Sequence, residues 1–117
     1  MQTIREPLNE RSTRELEIPF LDADGAAISD GVVATLTATL RDLGSDTLIR
    51  TAESVLNANG GVLSGGTLTL VLDPDDTQVI GTASLQPRVL TLSLVTSGGV
   101  RITEEIHFLV RSMRDIT

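Results

Sequence analysis

Aliphatic and hydroxyl side chains alternate along this chain with a period of two. In Ala34-Thr35-Leu36-Thr37-Ala38-Thr39-Leu40 the apolar residues point one way and the threonines the other. Thr67 to Leu72 repeats the pattern with Leu68, Leu70 and Leu72 inward, and Leu90 to Leu94 gives it a third time. The last long run, Val100 to Val110, has Val100, Ile102, Ile106, Phe108 and Val110 as its inward set. Successive side chains of a strand face opposite sides, so this period predicts half-buried antiparallel strands. Threonine suits the outer face, where its β-branch fits the pleat and its hydroxyl stays wet.

Two weaker strands accompany these. Leu16, Ile18 and Phe20 alternate with Glu15, Glu17 and Pro19. A proline cannot donate to a ladder, so this segment belongs at a sheet edge. Thr47 to Val55 is short and mixed, with Leu48, Ile49 and Val55 its large apolar residues.

Turn chemistry divides the runs. Asp22 to Gly25, Asp42 to Ser45, Asn57 to Gly61, Ser64 to Gly66 and Ser97 to Gly99 all read as hairpins or loops. Asp73-Pro74-Asp75-Asp76-Thr77 differs, because a proline behind an aspartate suits the first turn of a short 3₁₀ or α segment. Short strands at roughly 8–14-residue spacing, with no long helix, predict an all-β domain. The expected fold is an immunoglobulin-like antiparallel β-sandwich of about seven strands, with a barrel as its rival. Residues 12–117 would form the sandwich and residues 1–11, which lack alternation, an extended N-terminal arm.

Composition narrows the function. A chain of 117 residues suits one domain. It has no cysteine, which excludes disulfides and thiolate metal sites. A net charge of −7 argues against binding a phosphate backbone directly, so no nucleic-acid partner is expected. Phe20 and Phe108 are the only aromatic residues, so stacking on bases or sugars is not expected, and the core must be aliphatic. No window approaches the roughly 18–20 apolar residues of a membrane span, and the charged start MQTIREPLNER does not read as a secretory signal. All nine basic residues are arginine. A GC-rich genome explains this, and so do planar, bidentate contacts at subunit interfaces; both readings stand.

Candidate chemistry is sparse. His107 is the single histidine and falls on the polar phase of the last strand, which suits an exposed or interface side chain better than a general base. Asp73, Asp75 and Asp76 offer oxygens of the kind Ca²⁺ prefers, yet they lack EF-hand spacing and a distal glutamate, and a capped turn explains them. Asp22-Ala23-Asp24-Gly25 is foremost a turn, and neither glycine-rich stretch opens a helix as a phosphate cradle does. Glu104 interrupts the inward phase of the last strand. Either a bulge shifts the phase there, or that face meets another subunit and Glu104 pairs with an arginine. In the N-terminal segment, Ile4 and Leu8 are apolar anchors and Arg5 and Arg11 charged contacts for an arm lying on a neighbour; a frayed end is the alternative. No catalytic residue, cofactor or metal site is assigned.

The order of features resembles a known family. The stretch "FLDADGAAIS" leads to "LRDLGSDTLI", then to "LTLVLDPDDTQVIG", and a final hairpin closes the chain. This is similar to the small immunoglobulin-like structural proteins of tailed bacteriophages, in which a strand enters a "PEDT"-like corner and a "D-G-x-V-x-T" hairpin precedes the last strand. The matching residues are Pro74 to Thr77 and Gly99 to Thr103. Where that family often has "G-x-Y-x-Y", this chain has Gly81-Thr82-Ala83-Ser84-Leu85. The resemblance implies a virion protein, a capsid decoration or head–tail connector subunit, or else a tail or baseplate piece. It would contact other virion proteins, and copies of itself, through interface residues Ile4, Arg5, Leu8, Arg11, Arg101, Glu104 and His107. A host-surface or carbohydrate-binding module is the competing reading.

Overall fold

The computed structural model describes residues 2–3, 8–9, 11, 13–22, 24–74, 76–78, 80 and 85–111, with only the backbone of 2–3. The described residues form two facing β-sheets, a sandwich, with strands β1 (Gln2–Thr3), β2 (Leu8–Asn9), β3 (Arg14–Pro19), β4 (Val33–Asp42), β5 (Thr47–Ser54), β6 (Gly61–Ser64), β7 (Thr67–Leu72), β8 (Leu85–Thr96) and β9 (Arg101–Arg111). The larger sheet runs β1-β9-β8-β4-β5, with β2 also on β9, and the smaller runs β3-β7-β6. Counting β3 to β9 as seven strands, the two sets correspond to the ABED and CFG sheets of an immunoglobulin domain with one exchange. Strand β4 lies in the larger sheet, between β8 and β5.

The alternating aliphatic residues meet between the sheets. Leu36 faces Leu94, Ala38 faces Leu92 and Leu40 faces Leu90 across β4 and β8. Leu16 faces Leu70 and Ile18 faces Leu68 across β3 and β7. With Phe20, Leu72, Ile106, Phe108 and Val110 they form one buried cluster. Each fully buried aliphatic side chain contributes about 1.5–3 kcal/mol relative to exposure, so these rows dominate the fold's stability. Pro19 sits at the outer edge of the smaller sheet, where its missing N–H costs no ladder bond.

The turns follow the local sequence. Between β6 and β7, Gly65 (φ 61) and Gly66 (φ 80) make the two-residue left-handed connection that a tight hairpin demands. Their amides donate to the Asp30 carboxylate at 2.9 Å each. Asp22 Oδ1 accepts the amides of Asp24 and Ala26, so Asp22 to Gly25 is an Asx turn.

Several expectations need correction. Val100 is not inward: β9 starts at Arg101, and Val100 is 59% exposed in the preceding turn. No bulge occurs at Glu104, because the β8–β9 register runs unbroken from Val95–Arg101 to Leu85–Arg111. Gly61 and Ser64, read as members of two separate loops, are instead the ends of a short strand, β6, which places Leu63 in the core. The 3₁₀ turn forms at Asp30–Val32, whereas the described residues of the Asp73–Thr77 corner make a hydrogen-bonded turn.

Candidate functional site

The densest polar chemistry lies beneath the corner, where the chain leaves β7 in one sheet for β8 in the other. Strand alternation places it. Counting back by twos from Leu90, Arg88 and Gln86 share the inward phase of β8, and both are buried. Arg50 is the buried residue of β5, and Asp42 ends β4 opposite Arg88. Asp76, also buried, comes from the corner itself.

The Arg50 guanidinium grips Asp76 in a fork. Its Nε donates to Oδ1 at 2.7 Å and one terminal nitrogen donates to Oδ2 at 2.5 Å. The same side chain also donates to the carbonyls of Asn59 (3.0 Å) and Val71 (3.3 Å). Arg88 donates to Asp42 Oδ1 at 3.3 Å, to the Asp76 carbonyl at 2.8 Å, to the Gln78 carbonyl, and to Gln86 Oε1 at 3.1 Å. Gln86 in turn clamps the backbone of Ile80, accepting its amide at 2.8 Å and donating to its carbonyl at 2.5 Å. Within the corner, Asp73 and Asp76 cap one another: the Asp73 amide donates to Asp76 Oδ2 and the Asp76 amide to Asp73 Oδ1. Two arginines from the larger sheet thereby hold both the acid and the carbonyls of the connection between sheets.

The charges respond to this setting. The Asp76 hydrogen bond is the main reason the Arg50 pKa is raised; burial opposes it, and the Asp76, Glu53 and Asp73 charges add to it. Arg88 goes the other way, because burial outweighs the help of Asp42 and Asp76. For Asp42, burial pushes upward as the largest single effect. Hydrogen bonds from the Ser45 hydroxyl and amide and from Arg88, with the Arg88 charge, together outweigh it and hold the carboxyl below its usual value. A carboxyl with a depressed folded pKa contributes stability above its unfolded pKa of about 3.9 and loses it as pH falls through the folded value. We therefore expect Asp42→Asn to flatten that part of the acid limb in urea unfolding from pH 7 to pH 2, and to lower stability at pH 7 by about 2 kcal/mol. An unchanged acid limb would show that Asp42 carries none of it.

Chemically this cluster is a lock. The Asp76 carboxylate that suggested Ca²⁺ is taken by Arg50 and the Asp73 amide, and Asp75 lies outside the described residues. Among the described residues no three His, Cys, Asp or Glu groups are placed to hold a metal ion.

Among the described residues, the expected interface residues are not brought together. Ile4 and Arg5 lie outside the described residues. Leu8 is 6% exposed in this chain's own core, carried there by β2, which lies parallel on β9. Arg11 is exposed, and its amide donates to the Thr77 carbonyl at 3.2 Å. Arg101 is exposed on the outer face of the larger sheet and donates to Ser93 Oγ at 3.0 Å. Glu104 stays on the inward phase, half-buried, with no ion pair among the described residues. His107 occupies the outer phase beside Val89 and Thr3; it is half-buried, and its Nε2 is out of water without a hydrogen-bond partner among the described residues. Arg50, Arg88 and Gln86 were missed by sequence reasoning, although the phase of β8 carried back past Pro87 marks the last two as inward. No protein-family model, curated protein or solved structure matches the chain.

Proposed function

We propose that the chain is a structural subunit of a tailed-bacteriophage virion, a capsid decoration or head–tail connector protein acting through protein–protein contacts. The observation that supports this best is the outer face of the larger sheet. Across β4, β8 and β9 it aligns Thr35-Val95-Arg101, Thr37-Ser93-Thr103 and Thr39-Thr91-Glu105. Rows of short hydroxyl side chains on a braced sheet form a flat, polar contact surface with little side-chain entropy to lose on binding. The locked corner adds rigidity, which suits a part that must hold one shape in a particle. A carbohydrate-binding role is less well served, because Phe20 and Phe108 are both buried in the core and offer no ring to a sugar.

The test is mass spectrometry of particles purified from the phage or prophage that encodes the chain, with the recombinant protein added to particles that lack it. The expected outcome is a stoichiometric virion component that rebinds such particles. A chain absent from particles and unable to rebind would overturn the reading.

A further inference from the structure

Among the described residues, the larger sheet leaves one stretch of strand edge open. On one side β9 pairs with β8 along its whole length. On the other, β1 covers Ile106 and His107 and β2 covers Val110 and Arg111, so Arg101 to Glu105 have no neighbouring strand among the described residues. An open edge presents backbone donors and acceptors that template further pairing unless something blunts it. The other long edges are blunted, β3 by Pro19 and β5 by the left-handed Ala52 (φ 45). Arg-Ile-Thr-Glu-Glu has no proline, and its register is regular.

We propose that this edge is a self-association site, at which two copies pair their β9 strands antiparallel about a two-fold axis through Thr103. The proposal deepens the assembly reading and rests on it only for its purpose. Its support is charge complementarity. A two-fold axis normal to the sheet sets residues of like phase opposite one another and makes the contact isologous. Centred on Thr103, the pairing uses all five open positions and sets Arg101 against Glu105 of the partner subunit, twice, on the outer face. Centred on Glu104, it would set that carboxylate against Glu104 of the partner subunit and run into the span already covered by β1. Opposite charges across a strand pair stabilise and like charges oppose it, so the sequence selects the first register. The chain also turns away where it must: β9 begins at Arg101, and the Thr96–Val100 turn carries it back toward β8. At the same end, Leu21 and Val100 are 51% and 59% exposed and share an apolar groove with Ile28 and Ile102, surface that a second copy can help cover.

Sedimentation equilibrium of the full chain tests this. The expected result is a concentration-dependent dimer. Arg101→Glu and Glu105→Arg should each raise the dimer Kd about tenfold or more, and the double variant should restore it to within about threefold, because it rebuilds the same pairs reversed. Both positions are exposed on the outer face, so folding is preserved, and circular dichroism checks it. A chain that stays monomeric up to about 1 mM, single variants that dimerise like the parent, or a double variant no better than the singles would each overturn the proposal. A dimer that never enters particles would support this site while sinking the virion reading; a monomer found in particles would do the reverse.

Discussion

Replacing Arg88 with methionine will lower the stability of the fold by about 3–5 kcal/mol, the range for breaking a buried ion pair by removing one partner. The side chain is fully buried, so no water replaces its bonds. Asp42, 2% exposed, would lose its cation, and the carbonyls of Asp76 and Gln78 would lose their donors. The depressed Arg88 pKa means that the charge itself is held at a cost, so the loss comes from what the guanidinium satisfies. A double variant makes this separable. Adding Asp42→Asn to Arg88→Met removes the orphaned carboxylate and recovers part of the stability, while the two corner carbonyls keep the rest lost. Urea unfolding of the parent, both single variants and the double gives the cycle, and a thermal midpoint lower by about 4 °C per kcal/mol provides a second readout. A loss below about 1 kcal/mol for Arg88→Met would mean that the corner is not held by this side chain.

The same residues explain what could and could not be read in advance. Threonine–leucine alternation in β4, β7 and β8 is a local signal, set by the pleat, and it places Leu36, Leu68 and Leu92 in the core without knowledge of any partner strand. Strand β6 has four residues, Gly61–Ser64, the first of them in one glycine pair and the last abutting another, too few to display a period, so turn signals hide it. The parallel pairing of β2 with β9 joins Leu8 to Val110, and nothing within the first eleven residues encodes a partner so far away. The lock divides in the same way. Phase alone marks Arg88 as inward, but its partner Asp42 is 46 residues distant, and Arg50 finds Asp76 across 26. A charged residue on an apolar phase therefore says that a partner exists, and the fold decides which. Glu104 shows the converse. Its interruption of the phase suggested a bulge or a face meeting another subunit; the β8–β9 register runs unbroken, and the half-buried acid lies beside an edge with no neighbouring strand among the described residues.

Gly61→Ala should be among the most damaging single-methyl changes in this molecule, about 3 kcal/mol, at the upper end of ordinary overpacking. A Cβ added there would lie 2.1 Å from the backbone oxygen of Val55 and 2.8 Å from its Cβ. Val55 has little room to move, because it is fully buried and its amide donates to the Leu36 carbonyl at 2.9 Å. The displacement would therefore fall on the Asn57–Gly61 loop, whose Asn59 carbonyl accepts from Arg50. Steric strain at one glycine is thus coupled to the lock beneath the corner. Gly65→Ala is the matched control: its φ of 61 is left-handed, yet an added Cβ would meet nothing within 4 Å. That substitution should cost only the left-handed backbone penalty, about 1–2 kcal/mol. Chemical unfolding of the two variants separates crowding from backbone conformation. Equal losses would show that the close approach of Gly61 to Val55 relaxes at little cost; a larger loss for Gly61→Ala, together with faster hydrogen exchange at the Val71 amide, which donates to the Gly60 carbonyl, would place the strain beside Arg50.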